Sequence, residues 1–375
     1  MATTSKSESR VAALLAELIG YDTRNPEGDE LPMARRLADE LGRRSPDSTD
    51  VVEVPREGGG SPRAYVMARW GTPRTLVNVH FDTVPANAGW SSDPHVAKLE
   101  GGRVIGLGAA DTKGAIAAIL CALDEATPRD TAIVFSGDEE HTGTVMRAFV
   151  GSPDARGIER AVVCEPTSLR AGTRHRGILA LDVARRGAGG HSSAADRMPA
   201  PLADLSRVAV AVDDWARAQR DAGPRGFEGM CVNVARLAGG VAFNVVPDSA
   251  TLSFSLRPPP GADLAALEAE LRALVDRALP DEARADSATR TMLANPSFAT
   301  RDLGAYRALL GDDVAAAPVD MAFWTEAAVL SAAGIDAVVF GPGNIAQAHA
   351  PDEWVPVDEL EGARATFARM FRGGR

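Results

Sequence analysis

The sequence has 375 residues, of which 45% are hydrophobic and 24% charged, a balance typical of a globular protein with a sizeable core. Its net charge of −11 argues against a nucleic-acid partner, because phosphate binding requires a basic surface. No stretch approaches the ~18 consecutive apolar residues of a membrane span, and the N-terminal MATTSKSESR lacks the apolar core of a signal peptide. We therefore expect a cytoplasmic protein without a membrane partner.

The first half of the chain alternates helices with apolar strands. An amphipathic helix at 11–19 precedes the predicted strands TLVNVH (75–80), TAIVFSGD (131–138) and RAVVCEP (160–166). KGAIAAILCALDEA (113–126) carries apolar residues at helical spacing and is predicted to form a helix between the first two strands. Such alternation is typical of an α/β domain with a mixed, mostly parallel sheet.

The pattern changes at about residue 177. The following segments read strand, helix, strand, strand, helix, strand, an order typical of the ferredoxin-like split unit. IDAVVFGPG (335–343) then resembles one more buried strand of the first kind. We predict a mixed α/β domain formed by residues 1–176 and 295–375, with a ferredoxin-like domain inserted at 177–294.

The three cysteines are predicted to be reduced core residues. Cys121, Cys164 and Cys231 are too few, and odd in number, for a disulfide framework, and their surroundings are largely apolar.

Imidazole and carboxylate groups follow the predicted strands. These candidate site residues are His80, Asp111, Glu139, Glu140, Glu165 and His349. In open α/β sheets, ligands bind outside the carboxyl ends of the strands, so we expect all six at one edge. A single histidine is usually structural, and an acidic run often marks a solvated face or a helix N-terminus, but neither explanation accounts for six such groups.

A metal centre explains why these groups would gather. Gathered carboxylates without cations repel one another and raise each other's pKa, a cost that divalent ions reverse. The mixed nitrogen and oxygen donors suit Zn²⁺, with Co²⁺ or Mn²⁺ as substitutes. An even division of the donors requires one carboxylate to bridge two ions roughly 3.5–4 Å apart, as in hydrolytic two-metal sites. Asp82, two residues after His80, is expected to accept the second ring N–H of that histidine.

The stretch SGDEEHTG (136–143) places three carboxylates side by side. Neighbouring residues of an extended segment point apart, so Glu139 and Glu140 are expected to have different roles. One would bind metal and the other would act as general base toward the attacking water. Asp138 is expected to be structural, capping or packing at the end of the strand.

A nucleotide site is the competing interpretation of GLGAAD (106–111), which begins like a dinucleotide fingerprint. The position of the third glycine is Asp111, and no strand of normal length leads into Gly106. The sequence therefore favours metal chemistry at this loop.

Six motifs resemble those of one enzyme family. VHFDTVP, GLGAADTKG, GDEE, CEPT, GGHSS and GPGNIAQAHAPDEW are similar, in order, to signatures of the co-catalytic metallohydrolases that include acetylornithine deacetylase, succinyl-diaminopimelate desuccinylase and aminoacylase. The resemblance implies that His80, Asp111 and Glu165 bind one metal ion. It also implies that Asp111, Glu140 and His349 bind the other, with Asp111 bridging.

The same resemblance implies roles for residues outside the ligand set. Glu139 matches the general base, and the Asp111–Thr112 peptide matches a cis bond. The inserted domain resembles a lid and dimerisation domain, in which His191 reaches the partner subunit's site of a homodimer to stabilise the oxyanion. Asn244 and Arg257 match positions that contact the substrate.

Two further stretches indicate the substrate class. FWTEAAVL (323–330) and GPGNIAQAHAPDEW (341–354) resemble the acetylornithine and acetylcitrulline deacetylase branch of the family. The resemblance implies deacetylation of N2-acetyl-L-ornithine or N-acetyl-L-citrulline in arginine biosynthesis, with Glu326 a candidate to meet the end of the substrate side chain. The alternatives are a related exopeptidase, aminoacylase or desuccinylase acting on another N-acyl amino acid or dipeptide, and a non-catalytic binding protein.

Overall fold

The protein, described by a computed structural model over residues 9–56 and 59–373, divides into two compact units. The first unit comprises residues 1–173, 300–320 and 325–375, and the second comprises 174–299 and 321–324. Most of the segment on which the signal-peptide prediction rests lies outside the described residues. Among the described helices, none has both the length and the apolarity needed for a membrane crossing.

The first part of the first unit alternates strands and helices. In chain order its elements are α1 (Arg10–Ile19), α2 (Leu31–Gly42), β1 (Ser48–Val54), β2 (Arg63–Trp70), β3 (Thr75–His80), β4 (Lys98–Glu100), β5 (Arg103–Ile105), α3 (Gly114–Leu123), β6 (Thr131–Ser136), α4 (Thr144–Gly151), β7 (Arg160–Val163) and β8 (Gly172–His175). All residues of α3 are buried, which explains why its sequence is apolar on every side.

The second unit contains a four-stranded antiparallel sheet. The helices and strands of this unit are β9 (Ile178–Arg186), β10 (Gly190–His191), α5 (Pro201–Ala218), β11 (Asn233–Gly239), β12 (Val245–Val246), β13 (Ser249–Leu256), α6 (Leu264–Ala278), α7 (Asp281–Arg284), β14 (Ser287–Asn295) and β15 (Phe298–Ala299). The sheet order is β11-β13-β9-β14, with each neighbouring pair antiparallel. Together with α5 and α6, this is the ferredoxin-like split order. Leu181, Leu252 and Leu271 lie in its core.

The last part of the chain completes the first unit. Its elements are α8 (Leu303–Leu310), α9 (Asp312–Ala315), β16 (Val319–Met321), α10 (Ala327–Ala332), β17 (Asp336–Val339), β18 (Trp354–Pro356) and α11 (Val357–Phe371). Helix α11 packs against α3, and α3 packs against α1.

The main sheet of the first unit has the order β1-β2-β6-β3-β7-β17-β8. Its four central strands β6, β3, β7 and β17 are parallel, whereas β1, β2 and β8 add antiparallel edges. The predicted α/β class with a mixed sheet is confirmed, and the parallel pairing is confined to the centre. This topology places the carboxyl ends of β3, β6, β7 and β17 at one edge.

The cysteine prediction is confirmed for two positions and wrong for one. Cys121 and Cys164 are buried free thiols, whereas Cys231 is a free thiol exposed at the surface. The flanking apolar residues of Cys231 did not indicate burial, because it lies in a connection before β11 rather than inside a strand.

His175, the last residue of β8, is expected to make the stability of the protein depend on pH. Its ring is fully buried against Phe298 and Trp324, with centroids 5.2 and 6.4 Å away, and its Nδ1 lies 2.9 Å from the Arg176 carbonyl oxygen. Burial lowers the pKa of His175 from 6.5 to about 4. Because the unfolded chain then binds the proton more readily, the stabilisation is fully present above pH 6.5 and is lost as the pH falls toward 4.

We expect this histidine to reduce the free energy of unfolding by about 2 kcal/mol between pH 7.5 and pH 5. Urea midpoints of the parent and of His175→Gln at both pH values test this, since glutamine does not titrate. An unchanged pH dependence in His175→Gln would contradict the assignment.

Candidate metal centre

The ends of four central strands supply most of the candidate ligands. His80 is the last residue of β3, Glu140 follows β6, Glu165 follows β7 and His349 follows β17. Asp111 lies in the turn just before α3. Since parallel strands end at one edge, residues far apart in the sequence meet there. Ligand atoms of His80, Asp111 and Glu140 all lie within 4.8 Å of one another.

The carboxylate of Asp111 faces both histidines. Its Oδ1 lies 3.0 Å from Nε2 of His80, and its Oδ2 lies 3.3 Å from Nε2 of His349. Glu165 Oε1 is 3.8 Å from the same His80 nitrogen, and Glu140 Oε1 is 2.9 Å from the His349 nitrogen. The donors thus form two groups that share Asp111, which is the arrangement required of a carboxylate that bridges two ions.

The turn that carries Asp111 is held by one buried carboxylate. Glu353 accepts the backbone N–H groups of Gly108, Ala110 and Asp111 at 3.0, 2.8 and 3.0 Å. Gly108 has a φ of +80°, a region that favours glycine. The Asp111–Thr112 peptide is cis, as the resemblance implied. These contacts set the direction of the Asp111 side chain.

Asp82 contacts both His80 and the glutamate pair. Nδ1 of His80 lies 3.1 Å from the backbone carbonyl oxygen of Asp82 and 3.5 Å from its carboxylate. The two carboxylate oxygens accept the N–H groups of Glu139 and Glu140 at 3.2 and 3.1 Å. The His80 tautomer with its proton on Nδ1 is therefore favoured mainly by the carbonyl, while the carboxylate orients the pair.

The electrostatics of the cluster fit a divalent cation. Burial, together with neighbouring carboxylates, raises the pKa of Glu139 and Glu165 well above the usual range and raises that of Glu140. The hydrogen bonds that His349 donates to Asp111 and Glu140 raise the pKa of its imidazole to about 11. The raised pKa values reflect the cost of gathering buried carboxylates, and divalent cations, which prefer carboxylate and imidazole donors, would offset that cost.

Asp138 has the structural role predicted for it. It has a positive φ of 61°, and its Oδ2 accepts the N–H and the hydroxyl of Thr144 at 3.0 and 2.6 Å. Thr144 is the first residue of α4, so the carboxylate satisfies a free N–H at the start of that helix. The prediction of a capping role is confirmed.

Glu326 lies inside the first unit. Its side chain is 1% exposed, and its Oε2 accepts the Ser136 hydroxyl at 2.6 Å, at the end of β6. Burial raises the pKa of Glu326 to about 7. A contact of Glu326 with the substrate side chain stays a prediction. The hydrogen bond from Ser136 gives Glu326 an alternative, structural role at the end of β6.

The other candidate substrate residues belong to the second unit. Pairing of β10 with β12 brings His191 next to Val245, and Ser192 donates its N–H to the Asn244 carbonyl oxygen at 3.1 Å. The side chains of His191 and Asn244 are exposed, as is that of Arg257, which directly follows β13. His191 and Asn244 therefore lie side by side on one surface of this unit.

Comparison with known proteins assigns the chain to a family. The sequence model described as Peptidase family M20/M25/M40 matches residues 76–373, most of the chain. The chain belongs to this family. An N-acetyl-L-citrulline deacetylase of Xanthomonas campestris pv. campestris is 36% identical over 370 residues, 96% of either chain. An acetylornithine deacetylase of Myxococcus xanthus is 31% identical over 340 residues, 88% of this chain and 86% of its own length.

A solved M20 structure shares the fold. It is a dinuclear metal-binding peptidase of Bacillus subtilis, which has a TM-score of 0.66 and 13% sequence identity over 97% of this chain and 98% of its own. The predicted family resemblance is confirmed by these comparisons.

The sequence did not reveal the buried side chains that form hydrogen bonds with the loops carrying the candidate ligands. Glu353 lies inside a recognised motif, but its contact with the Asp111 turn was not foreseen, and Asn25 and Glu30 were not considered. A glycine-rich turn with free N–H groups signals that an acceptor is needed. It does not indicate which of the 51 acidic residues supplies it.

Proposed function

We propose that this protein is a metal-dependent amidohydrolase that removes the acetyl group from N2-acetyl-L-ornithine or N-acetyl-L-citrulline in arginine biosynthesis. The observation that carries the activity is the Asp111 carboxylate facing both His80 and His349, with a further carboxylate at each histidine. The two deacetylases that match nearly the whole chain support the substrate class.

The donors present suit two zinc ions, for which Co²⁺ or Mn²⁺ would substitute. His80 and Glu165 would hold one ion, Glu140 and His349 the other, and Asp111 both. When bound, such ions polarise the amide carbonyl and lower the pKa of a water molecule toward ~7. Binding requires neutral imidazoles and ionised carboxylates, so it would release any proton that these groups hold.

The remaining chemistry belongs to side chains of the protein. Glu139 takes a proton from the attacking water and delivers it to the leaving amine as the C–N bond breaks, which yields acetate and the free amino acid. Asp82 supports this role by accepting the Glu139 N–H. His191 donates to the oxyanion, and Arg257 with Asn244 binds the substrate carboxylate through charge-assisted hydrogen bonds.

A substrate panel tests the proposal. Parent protein loaded with Zn²⁺ or Co²⁺ is incubated with N-acetyl-ornithine, N-acetyl-citrulline, other N-acyl amino acids and dipeptides, and products are identified by mass spectrometry. Acetate release from the first two supports the deacetylase. Amino-acid release from dipeptides alone would favour the peptidase of the same family, and no turnover of any substrate would favour a binding protein.

Glu326→Gln separates two roles for that carboxylate. If Glu326 meets the substrate side chain, the change should lower kcat/KM more for the ornithine substrate, whose ammonium loses a Coulombic partner, than for the citrulline substrate. Equal losses for both substrates would instead assign Glu326 to holding Ser136.

The second unit has features of a dimerisation surface. Val234 and Leu237 on the edge strand β11, Met292 on β14 and Val210 on α5 are exposed apolar residues. An uncovered strand edge with apolar side chains favours pairing with a second copy, and a two-fold dimer is the commonest solution. We propose that the protein is a homodimer in which His191 acts in the partner subunit's site.

Subunit exchange tests this assignment. Equal amounts of inactive His191→Ala and Glu139→Gln proteins are mixed so that about half the dimers become mixed, each with one intact site. About a quarter of all sites should then regain activity. Each variant exchanged with itself is the control and should stay inactive. Exchange verified by mass spectrometry without recovered activity would contradict a role of His191 across the interface.

A further inference from the structure

A buried ion pair lies next to the loop at 137–140, which carries Glu139 and Glu140. Glu30 is fully buried and Arg63 is 2% exposed, with Glu30 Oε1 and Arg63 Nη1 3.3 Å apart. Arg63 also approaches Asp138 Oδ1 at 3.7 Å. Such a pair is costly to bury unless further hydrogen bonds satisfy its charges.

The Glu30 carboxylate accepts hydrogen bonds from residues outside α2, the helix that it precedes. It directly precedes α2, yet its side chain makes no capping bond to that helix. Its carboxylate instead accepts the N–H of Ala64 at 3.2 Å, the N–H of Asp138 at 3.1 Å and the Asn25 amide at 3.1 Å. One side chain thereby joins β2 to the loop that carries the glutamate pair.

Gly137 explains how closely the carboxylate approaches this loop. A Cβ at position 137 would overlap the Glu30 carboxylate, so only glycine fits there. Gly137 also donates its N–H to the Ala64 carbonyl oxygen at 2.9 Å. The glycine of the SGDEE stretch is therefore explained by the Glu30 contact.

Asn25 provides a second connection between Glu30 and the loop at 137–140. The Asn25 side-chain amide donates both to Glu30 Oε1 and, at 2.5 Å, to Asp82 Oδ2. Asp82 in turn accepts the N–H groups of Glu139 and Glu140. Glu30 is thus connected to Glu139 and Glu140 in two ways. It binds the Asp138 N–H directly, and it is linked to Asp82 through Asn25.

We propose that Glu30, paired with Arg63, is a positioning residue that sets the backbone of residues 137–140. It thereby aims Glu139 at the substrate and Glu140 at the metal. The part that concerns catalysis rests on the proposed function, and the part that concerns metal binding rests only on the assignment of Glu140 as a metal ligand. Removal of residues that orient metal ligands typically costs about 10–100-fold in metal affinity or activity.

Glu30→Gln tests the proposal, with Glu40→Gln as its matched control. Glu40 lies in α2 and is 7% exposed, and its carboxylate binds Arg36, Arg43 and Arg44. We expect Glu30→Gln to lower kcat at saturating Co²⁺ about 10–100-fold, with little change in KM, and to weaken Co²⁺ binding about tenfold or more. Glu40→Gln should keep both within twofold of the parent.

Co²⁺ binding is followed by the visible spectrum of the bound ion, which requires no substrate. If the parent turned over no N-acyl amino acid, the proposed function would fail while this titration still tested the positioning of Glu140. Parent-like Co²⁺ affinity and spectrum in folded Glu30→Gln would overturn the proposal.

A double variant separates positioning from stability. Glu30→Gln with Arg63→Met removes both charges, so no unpaired guanidinium stays buried and the urea midpoint should recover toward the parent value. The Co²⁺ affinity and kcat should stay low, because glutamine keeps only one of the two acceptor oxygens that serve Asn25, Ala64 and Asp138. Recovery of both together with the urea midpoint would show that the pair only stabilises the fold. Should Glu30→Gln alone fail to fold, the double variant and Asn25→Ala, which cuts the route to Asp82, give the same readouts.

Discussion

Replacement of Glu139 by glutamine is expected to lower kcat by about 10²–10⁴-fold and to leave the metal content of the protein unchanged. Glutamine preserves the size of the side chain but cannot accept the proton of the attacking water. The backbone N–H of residue 139 still binds Asp82, and the residues that face His80 and His349 are untouched. The measurement is kcat with the best substrate of the panel, together with metal content by elemental analysis.

Glu140→Gln, the same substitution at the neighbouring residue, is the comparison variant for this test. Glu140 Oε1 lies 2.9 Å from His349 Nε2, so its loss should weaken one metal site and lower the metal content by about one ion per chain. A Glu139→Gln protein that lacks a metal ion, beside a Glu140→Gln protein that keeps both, would reverse the two roles.

Replacement of Asp111 by asparagine is expected to remove both metal ions and to reduce turnover to background. Its two oxygens face different histidines, Oδ1 toward His80 and Oδ2 toward His349, so one side chain serves both groups of donors. An asparagine offers one neutral oxygen and cannot bridge two cations. Metal content after dialysis, measured against the parent, is the direct readout.

Two other acidic residues make the comparison specific. Glu165 approaches only His80, so Glu165→Gln should lose one ion and keep the other. Asp352 lies near His349 in the sequence but binds Ser91, so Asp352→Asn should retain both ions. If Asp111→Asn and Glu165→Gln lost equal amounts of metal, Asp111 would not be the shared ligand.

The meeting of the proposed donors at one sheet edge could be predicted from the sequence, because residue type and position at a strand end are both local features. A histidine at the end of the apolar run TLVNVH and acidic residues after TAIVFSG and AVVC combine residue type with position at a strand end. Hydrophobic patterning places strand ends reliably enough for this purpose, and the topology of α/β sheets brings them to one edge. The α/β class and the inserted split unit follow from the same patterning.

Packing decided what local patterning left open at Glu326 and Asp82. The sequence suggested that Glu326 meets the substrate, and the fold adds a hydrogen bond from Ser136, which lies 190 residues earlier in the chain. Asp82 was expected to serve His80, and the fold also gives its carboxylate to the N–H groups of Glu139 and Glu140. Buried carboxylates take whichever donors the folded chain leaves unpaired, and neighbouring residues do not specify these donors.

By itself, the sequence determined which side chains are available for metal binding and the order of helices and strands that carries them. The tertiary structure decided which side chains face Asp111, and it made Glu353 and Glu30 the acceptors for the backbone N–H groups of Ala110 and Asp138. Strand patterning acts over a few residues and is visible in the sequence. Hydrogen bonds between residues 30 and 138, or 110 and 353, depend on the closure of long loops, and only the packed fold specifies them.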